Sequence, residues 1–338
     1  MIWQFIDSSS VGGAERHVAT LADGLYRHGH PSRVILLANH GPNPWLLQLK
    51  GAGIPYTHLD GRMRSLIKAL RSEQPRLLHT HGYKAGILGR PAARLAGIPV
   101  VSTFHSGERG AFPVSAYDWL DEWTSFLGQN IAVSARIRDR LPFAATVIPS
   151  YVTTSPTPPT GALPPAAAFV GRLSAEKGPD LFCKLAAGAP AGIAWHIWGD
   201  GPMRAALEAK YAGVVRFHGV ATDMEAIWPR VGLLVMPSHS EGVPLAALEA
   251  AAHGVPVLAS RVGGLPTVIL DGCTGWLFPA GDIDGAGGAL QGLNAWQAAC
   301  LSDVAALRTA CWERARSEFS EQRWLPAVQH VYRSVGVQ

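Results

Sequence analysis

The chain has 338 residues, 48% of them hydrophobic and 16% charged, with a formal net charge of +4. That length exceeds one ordinary domain and fits two, each large enough for its own core, and the composition is that of a soluble, globular, well-buried protein. The positive residues are mostly Arg and are spread along the chain. This argues against a nucleic-acid binder with a clustered basic face and leaves phosphorylated donors and anionic membrane surfaces as the acidic partners.

Residues 1–6 (MIWQFI) form an apolar strand candidate, and SSSVGGAERHVATLADGLYRHGH then passes through a glycine turn into an amphipathic helix. The Gly12-Gly13 corner can bring bare backbone N–H groups close to a phosphate, although a purely geometric turn reads the same. Strand-type runs recur at 33–38, 55–59, 76–80, 100–104, 130–133 and 146–148, with helical patterns between most of them. Such alternation predicts a parallel sheet with helices on both faces and ligands at the carboxyl ends of its strands. His79, His81 and His105 fall near two of those ends. His-x-His is half of a metal site, yet no Cys or acidic cluster nearby completes it, and packing is the preferred reading for His79. Residues 62–76 combine Leu66, Ile67 and Leu70 with Arg62, Arg64, Lys68 and Arg71, a basic amphipathic helix that suits either an ordinary solvated face or a membrane surface.

Residues 150–165 (SYVTTSPTPPTGALPP) cannot hold a helix and make a poor strand, so they read as a linker. Strand candidates at 167–172, 193–198 and 214–220 then each lead into a helix, as a second doubly wound sheet requires. Arg172 and Lys177 flank the first of these turns, where a solvated pair is the ordinary reading. Gly199-Asp200-Gly201 begins like a dinucleotide fingerprint, but the third glycine would fall at Arg204, and the NAD reading loses its close helix packing there. Asp282-Ile283-Asp284 imitates a metal-binding Asp-x-Asp, yet it follows Pro279-Ala280-Gly281 and precedes a helical run, so N-capping explains it better. From Asp303 the chain reads as helical to its end, with Phe319, Trp324 and Tyr332 as core aromatics.

The stretch 236–264, MPSHSEGVPLAALEAAAHGVPVLASRVGG, organises the second half. With apolar strand-type runs at 233–236 and 255–260, the unit reads as strand, loop, helix and strand, with Pro244 at the first helical position and Gly254 followed by Pro256 at the helix end. The backbone N–H groups of Gly242, Val243 and Leu245 are then donors at the positive end of a helix dipole, where a phosphate or sugar hydroxyl can dock. Glu241 precedes the helix and Glu249 lies inside it. A capping and a solvated glutamate are the bland reading, but Ala246, Ala247, Leu248, Ala250, Ala251 and Ala252 make this helix apolar almost all round, and a carboxylate inside it needs a reason.

Glu241 and Glu249, with seven residues between them in EGVPLAALEAAAHGVPVLASRVGGLPTVI, resemble the signature of the family-4 retaining glycosyltransferases, which carry two Rossmann-like domains in the GT-B arrangement. The resemblance implies a role for each matching residue. Gly12 and Gly13, in Gly-Gly-Ala-Glu with Glu15, would lie against the donor diphosphate. Arg172 and Lys177, in Gly-Arg-Leu-x-x-x-Lys-Gly, would grip that diphosphate. His105, in STFHS, would stand close to the donor sugar and reacting centre. Glu241, with Gly242, Val243, Pro244 and Leu245, would hold the sugar, and Glu249 the ribose hydroxyls. The hinge differs, since Ile148-Pro149-Ser150-Tyr151-Val152 replaces the family's Asn-Gly-Val-Asp-like turn.

The expectation is therefore an α/β fold of two Rossmann-like doubly wound domains facing across a cleft: an acceptor-side domain at 1–152, a linker at 153–165, a nucleotide-sugar-binding domain at 166–318, and a last helix at 319–338 returning to the first domain. The expected activity is retaining, metal-independent transfer of a sugar from a nucleotide-sugar to a glycan or lipid-linked glycan acceptor, as in polysaccharide biosynthesis. Neither a cofactor nor a bound metal is expected. A nucleotide-sugar epimerase or hydrolase of the same architecture, or a non-catalytic subunit, stays open. Cys183, Cys273, Cys300 and Cys311 show no CxxC spacing, the early residues lack a secretory n-region, and no apolar run reaches transmembrane length. These features place the chain in the cytoplasm, with any membrane contact peripheral and on the inner face.

Overall fold

Two all-parallel sheets carry the fold, and the computed structural model describes residues 1–9, 11–105, 114–189, 191–221, 223–288 and 301–337. The chain divides into unit 1, Met1–Ser150 with Glu321–Gln338, and unit 2, Tyr151–Ser320. In chain order unit 1 comprises β1 (Ile2–Ile6), α1 (Gly13–Arg27), β2 (Ser32–Leu36), α2 (Pro44–Gly51), β3 (Tyr56–His58), α3 (Met63–Glu73), β4 (Leu77–His81), α4 (Tyr83–Ala96), β5 (Val100–Phe104), α5 (Val114–Trp123), β6 (Gln129–Ala132), α6 (Ala135–Arg140) and β7 (Thr146–Val147). Unit 2 follows with β8 (Ala166–Val170), α7 (Pro179–Gly188), β9 (Ala194–Trp198), α8 (Arg204–Tyr211), β10 (Val215–Gly219), β11 (Leu233–Met236), α9 (Leu245–Ala252), β12 (Val257–Ser260), α10 (Leu265–Val268), β13 (Gly275–Phe278) and α11 (Leu301–Phe319). The last helix, α12 (Glu321–Ser334), belongs to unit 1.

Unit 1 has the strand order β3-β2-β1-β4-β5-β6-β7 and unit 2 the order β10-β9-β8-β11-β12-β13. Each sheet is covered on both faces. In unit 1, Trp3, Phe5, Ile35 and Leu78 pack with Leu66, Leu70 and Ala92 on one side, while Ile6, Val34 and Leu36 pack with Val18, Ala22 and Trp45 on the other. Covering both faces lets strands such as LLVM (β11) and VLAS (β12) be buried at every position. Local chemistry sets the helix starts: Asn43 accepts from Trp45 N at 3.0 Å with Pro44 at the first helical position, and Ser134 accepts from Ile137 N at 3.3 Å.

Several expectations change. The tail is two helices broken at Ser320, which bridges Val152, so the chain leaves unit 1 after Ser150. The expected linker is laid onto unit 2: Trp312 Nε1 donates to Ser155 O at 3.1 Å and Arg308 to Ala162 O at 3.2 Å. The strand β13 was not anticipated; its four residues between Thr274 and Pro279 give too short a run to show a period. Residues 63–73 of the 62–76 stretch do form a helix, α3, but Leu66 and Leu70 are fully buried against Leu78 and Ala92, so its apolar side is spent on the core rather than offered to a lipid surface.

Within unit 1 a buried ion pair fixes α4 against α5. Arg90, with no exposed surface, donates to Asp121 Oδ1 at 2.5 Å and to Ser102 Oγ at 3.0 Å. Gly86 makes the room, because a Cβ there would overlap Asp121 Oδ1 and approach Arg90 within 2.9 Å. Gly86→Ala should therefore cost about 1–3 kcal/mol, as overpacking does. Gly188→Ala, at a helical position with nothing within 4 Å, should be neutral or stabilising by up to about 1 kcal/mol. Urea unfolding of the two variants checks the contrast, and equal midpoints would show that the ion pair yields to the added methyl.

Candidate functional site

In unit 2 the strand order reverses between β8 and β11, and in open parallel sheets ligands bind beyond the carboxyl ends of the strands at such a point. The two loops that leave those ends carry the predicted residues. Gly171 to Gly178 follows β8 and Pro237 to Pro244 follows β11. Lys177 Nζ donates to Glu241 Oε2 at 2.7 Å, and Ser238 Oγ donates to Glu241 Oε1 at 2.8 Å. The Glu241 side chain is 3% exposed and that of Lys177 30%. The backbones are laced as well, with His239 N donating to Glu176 O at 2.8 Å and Gly264 N, beyond β12, donating to Gly242 O at 2.7 Å. Gly178 is required here twice over: its φ is +65°, and a Cβ would overlap the carbonyl oxygen of Pro237.

The other predicted residues occupy distinct positions. Arg172 is exposed at the end of β8. Burial raises the Glu176 carboxyl, but a 2.6 Å bond from Ser174 Oγ and the charges of Arg172 and Lys177 outweigh it and hold that carboxyl below its ordinary range. Pro244 is the cap of α9 rather than its first residue, with φ −73° and ψ 126°, because helical dihedrals begin at Leu245. Glu249 is half-buried on α9, flanked by the fully buried Leu248 and Ala250. The Asp282-Ile283-Asp284 decoy resolves as a cap, with Gly285 N donating to Asp282 Oδ1 at 2.9 Å. Ser238 was missed, since a serine between Pro237 and His239 gives no sign of its carboxylate partner.

Unit 1 reverses between β1 and β4. Gly12 caps α1 there, with Gly13 as its first residue. Burial raises the Glu15 carboxyl, which accepts from the backbone N–H groups of Glu15 and Gly12 and from Ser8, so a side chain of this chain already uses the Gly12 donor. Beside this turn lies a buried polar cluster. His81 Nδ1 stands 3.1 Å from His105 Nε2, and His17, from α1, packs edge-on to His105 with ring centroids 4.7 Å apart. The nearest nitrogens of His17, His81 and His105 lie within 4.8 Å of one another. His79 is confirmed as a packed, satisfied residue, 2.8 Å from the Tyr332 hydroxyl and 2.7 Å from Thr103 Oγ1. His17 was missed; its signal was a polar residue on the same helix face as the buried Val18, Leu21 and Leu25.

Residues 11–158 match the family Glycosyltransferase Family 4, and residues 164–294 match Glycosyl transferases group 1. A glycogen synthase of Mycobacterium tuberculosis is 30% identical over 310 residues, covering 78% of this chain and 69% of that protein. This chain belongs to the family-4-like glycosyltransferases with the GT-B fold. A D-inositol 3-phosphate glycosyltransferase of Mycolicibacterium paratuberculosis is 37% identical over 158 residues, 42% of this chain and 36% of that one, so the chain spans little more than a third of that relative. A UDP-Gal:alpha-D-GlcNAc-diphosphoundecaprenol alpha-1,3-galactosyltransferase of Escherichia coli is 31% identical over 261 residues, 65% of this chain and 66% of that one. Among solved structures, Anabaena Alr3699/HepE in complex with UDP-glucose shares the fold, with a TM-score of 0.82 at 18% identity over 99% of each chain.

The buried rings make stability depend on pH. Burial lowers the His17 pKa from 6.5 to about 4, and burial, with the neighbouring imidazoles second, holds His79, His81 and His105 well below 6.5. A group whose folded pKa is depressed contributes stability above its unfolded pKa and loses it as pH falls toward the folded value. The loss therefore begins near pH 6.5 and, for His17, runs to about 4. At pH 5.5 the neutral His17 ring should cost about 1.4 kcal/mol relative to pH 8, with the other three rings acting in the same direction. Denaturant unfolding at the two pH values measures this, and a flat profile would mean the rings are not held neutral.

Proposed function

We propose that this chain is a retaining, metal-independent glycosyltransferase that moves a sugar from a nucleotide-sugar donor to a glycan or lipid-linked glycan acceptor. The observation that carries the reading is the buried Glu241 carboxylate, held by Lys177 on the neighbouring loop at the point where the sheet order reverses, directly ahead of α9. A carboxylate there accepts hydroxyl hydrogens from a sugar, and the N–H groups of Gly242, Val243 and Leu245 supply donors. Lys177 and Arg172 neutralise the charge that grows on the leaving phosphate as the anomeric bond breaks. Glu249 takes the ribose hydroxyls, and the acceptor's proton passes to the donor phosphate in a front-face attack. Support comes from family membership, from the UDP-glucose named with Anabaena HepE, and from the UDP-galactose and diphosphoundecaprenol-linked GlcNAc named for the Escherichia coli relative.

The donor-site roles are separable by kinetics. Full turnover is expected in excess EDTA. Arg172→Ala should lose roughly 2–4 kcal/mol in the chemical step, as when one preorganised donor is removed. Lys177→Ala should lose as much and also destabilise the fold, because it strands the buried carboxylate of Glu241; Arg172, being exposed, gives the cleaner test. Glu249→Ala should raise the donor KM, whereas Glu241→Ala should lower kcat, since contacts to the reacting sugar strengthen only as it distorts. Activity lost in EDTA and restored by Mn²⁺ would overturn metal independence. Fast donor hydrolysis without acceptor would make the protein a hydrolase, and an absence of donor binding would make it a non-catalytic subunit.

A lipid-linked acceptor also needs a surface that meets the membrane. No helix among the described residues is long and apolar enough to cross one. Unit 1 does expose Trp119 (51%), Trp123 (49%) and Phe126 (61%) on and just after α5, with Phe143 packed against the last two. Rings of this kind suit the interface between headgroups and acyl chains. Flotation with anionic liposomes should retain the protein and release a Trp119→Ser, Trp123→Ser variant. Equal behaviour of the two proteins would remove this surface from consideration.

A further inference from the structure

The hydrogen bonds of the unit 1 cluster form a chain whose direction is fixed at one end. Ser32 Oγ lies 3.4 Å from the backbone carbonyl oxygen of Ile2, which can only accept, so the hydroxyl donates to it. The Gln4 amide nitrogen then donates to Ser32 Oγ at 3.3 Å. With the amide nitrogen on that side, the Gln4 carbonyl oxygen faces His81 Nε2 at 2.8 Å. An acceptor there demands a donor, so His81 carries its hydrogen on Nε2. The Nδ1 of a neutral His81 is then a lone pair, and the His105 Nε2 facing it at 3.1 Å must be the donor. The opposite polarity would set the His81 Nε2 lone pair against the Gln4 carbonyl oxygen, and a doubly protonated ring would place a charge at a position only 1% exposed.

We propose that Gln4 and His81 are positioning residues that fix His105 as its Nε2–H tautomer, leaving Nδ1 as a neutral acceptor for a sugar hydroxyl. The tautomer follows from the network alone; its catalytic consequence rests on the glycosyl-transfer reading above. Among the described residues, His17, His79 and His81 are the titratable groups around His105, and burial keeps all of them uncharged at neutral pH. A neutral ring suits a sugar whose anomeric carbon becomes positively charged as the leaving group departs, since an imidazolium there would oppose that charge. The same geometry accounts for the three close imidazole nitrogens without an ion, because two of them already share a hydrogen.

Two-bond ¹H–¹⁵N spectra of the histidine rings in the ligand-free, ¹⁵N-labelled protein test this directly, with signals assigned by His81→Asn and His105→Gln. Both rings should show the Nε2-protonated pattern, unchanged between about pH 6 and 8. His105 protonated on Nδ1, a His105 ring that titrates in that range, or zinc added stoichiometrically and captured by His17, His81 and His105 would each overturn the proposal. In turnover, His81→Leu should lower kcat about 10- to 100-fold with the donor KM unchanged, less than the loss when a catalytic base is forced into the wrong tautomer. His81→Asn, whose Oδ1 can stand where Nδ1 stood, should keep most of kcat, and equal losses in the two variants would reduce His81 to a packing role. The spectra distinguish the two failures: a chain without transferase activity but with the predicted ring pattern would sink the functional reading and leave the tautomer standing.

Discussion

The contact on which unit 2's site depends is the ion pair between Lys177 and Glu241. Lys177 ends the short 3₁₀ turn Ala175–Lys177 and Glu241 sits on a loop, and the two connections follow strands that are neighbours in space but 63 residues apart from strand end to strand start. A carboxylate that is almost wholly buried is costly unless it is paired and hydrogen-bonded, and Lys177 with Ser238 meets that requirement. The pair therefore defines where both loops lie, and the backbone bonds from His239 and Gly264 extend the constraint to the start of α9. Because Lys177 keeps nearly a third of its side chain exposed, the pair is desolvated on one side only. Under the proposed function, a donor phosphate would compete for the ammonium without the carboxylate losing its serine.

Unit 1 meets the opposite problem with uncharged groups. The middle of a parallel sheet covered on both faces is ordinarily apolar, yet Gln4 in β1, His79 and His81 in β4 and Thr103 in β5 share one neighbourhood, and β1 and β4 are hydrogen-bonded neighbours with Gln4 opposite His79. Each of these side chains has a named partner, with α1 supplying His17 and α12 supplying Tyr332. The last helix thus completes the polar face rather than merely extending the chain. It also binds at its start, where Glu321 accepts from Arg27 at 2.8 Å.

What the sequence could show followed from periodicity and from residues that break it. Strands such as 100–104 and 233–236 were legible to the residue because apolar runs flanked by turn signals have one reading, whereas β13 was too short and the break at Ser320 has no Gly or Pro to mark it. Glu241 was visible because of its place ahead of a helix that is apolar almost all round; its partners were not, because Lys177 reaches it only through strand order and Ser238, three residues away on the same loop, gives no local sign of the bond. The histidines were half visible. The His-x-His pair announced a common face, but the completing ring, His17, lies on a helix 62 positions earlier than His79, and no local pattern reports that distance. Gln4 within MIWQFI was the other signal, a polar residue in an otherwise apolar strand whose cost is explained only by the network it anchors.

The two units thus show two responses to the same physical demand, and under the proposed function each response suits one of the charges of glycosyl transfer. As an anomeric C–O bond breaks, negative charge moves onto the phosphate and positive charge onto the ring carbon. Fixed cations suit the first and would oppose the second. Unit 2 places Arg172 and Lys177 on the turn that follows β8, and Asp282 serves as a helix cap. Unit 1 gathers rings whose burial strips them of charge and then assigns their hydrogens through Gln4, so that a lone pair rather than a cation is left on His105. A lysine at position 105 would bring a charge where the buried imidazoles bring none, and the burial that costs unit 1 stability in acid is the same burial that keeps its lone pair available at neutral pH.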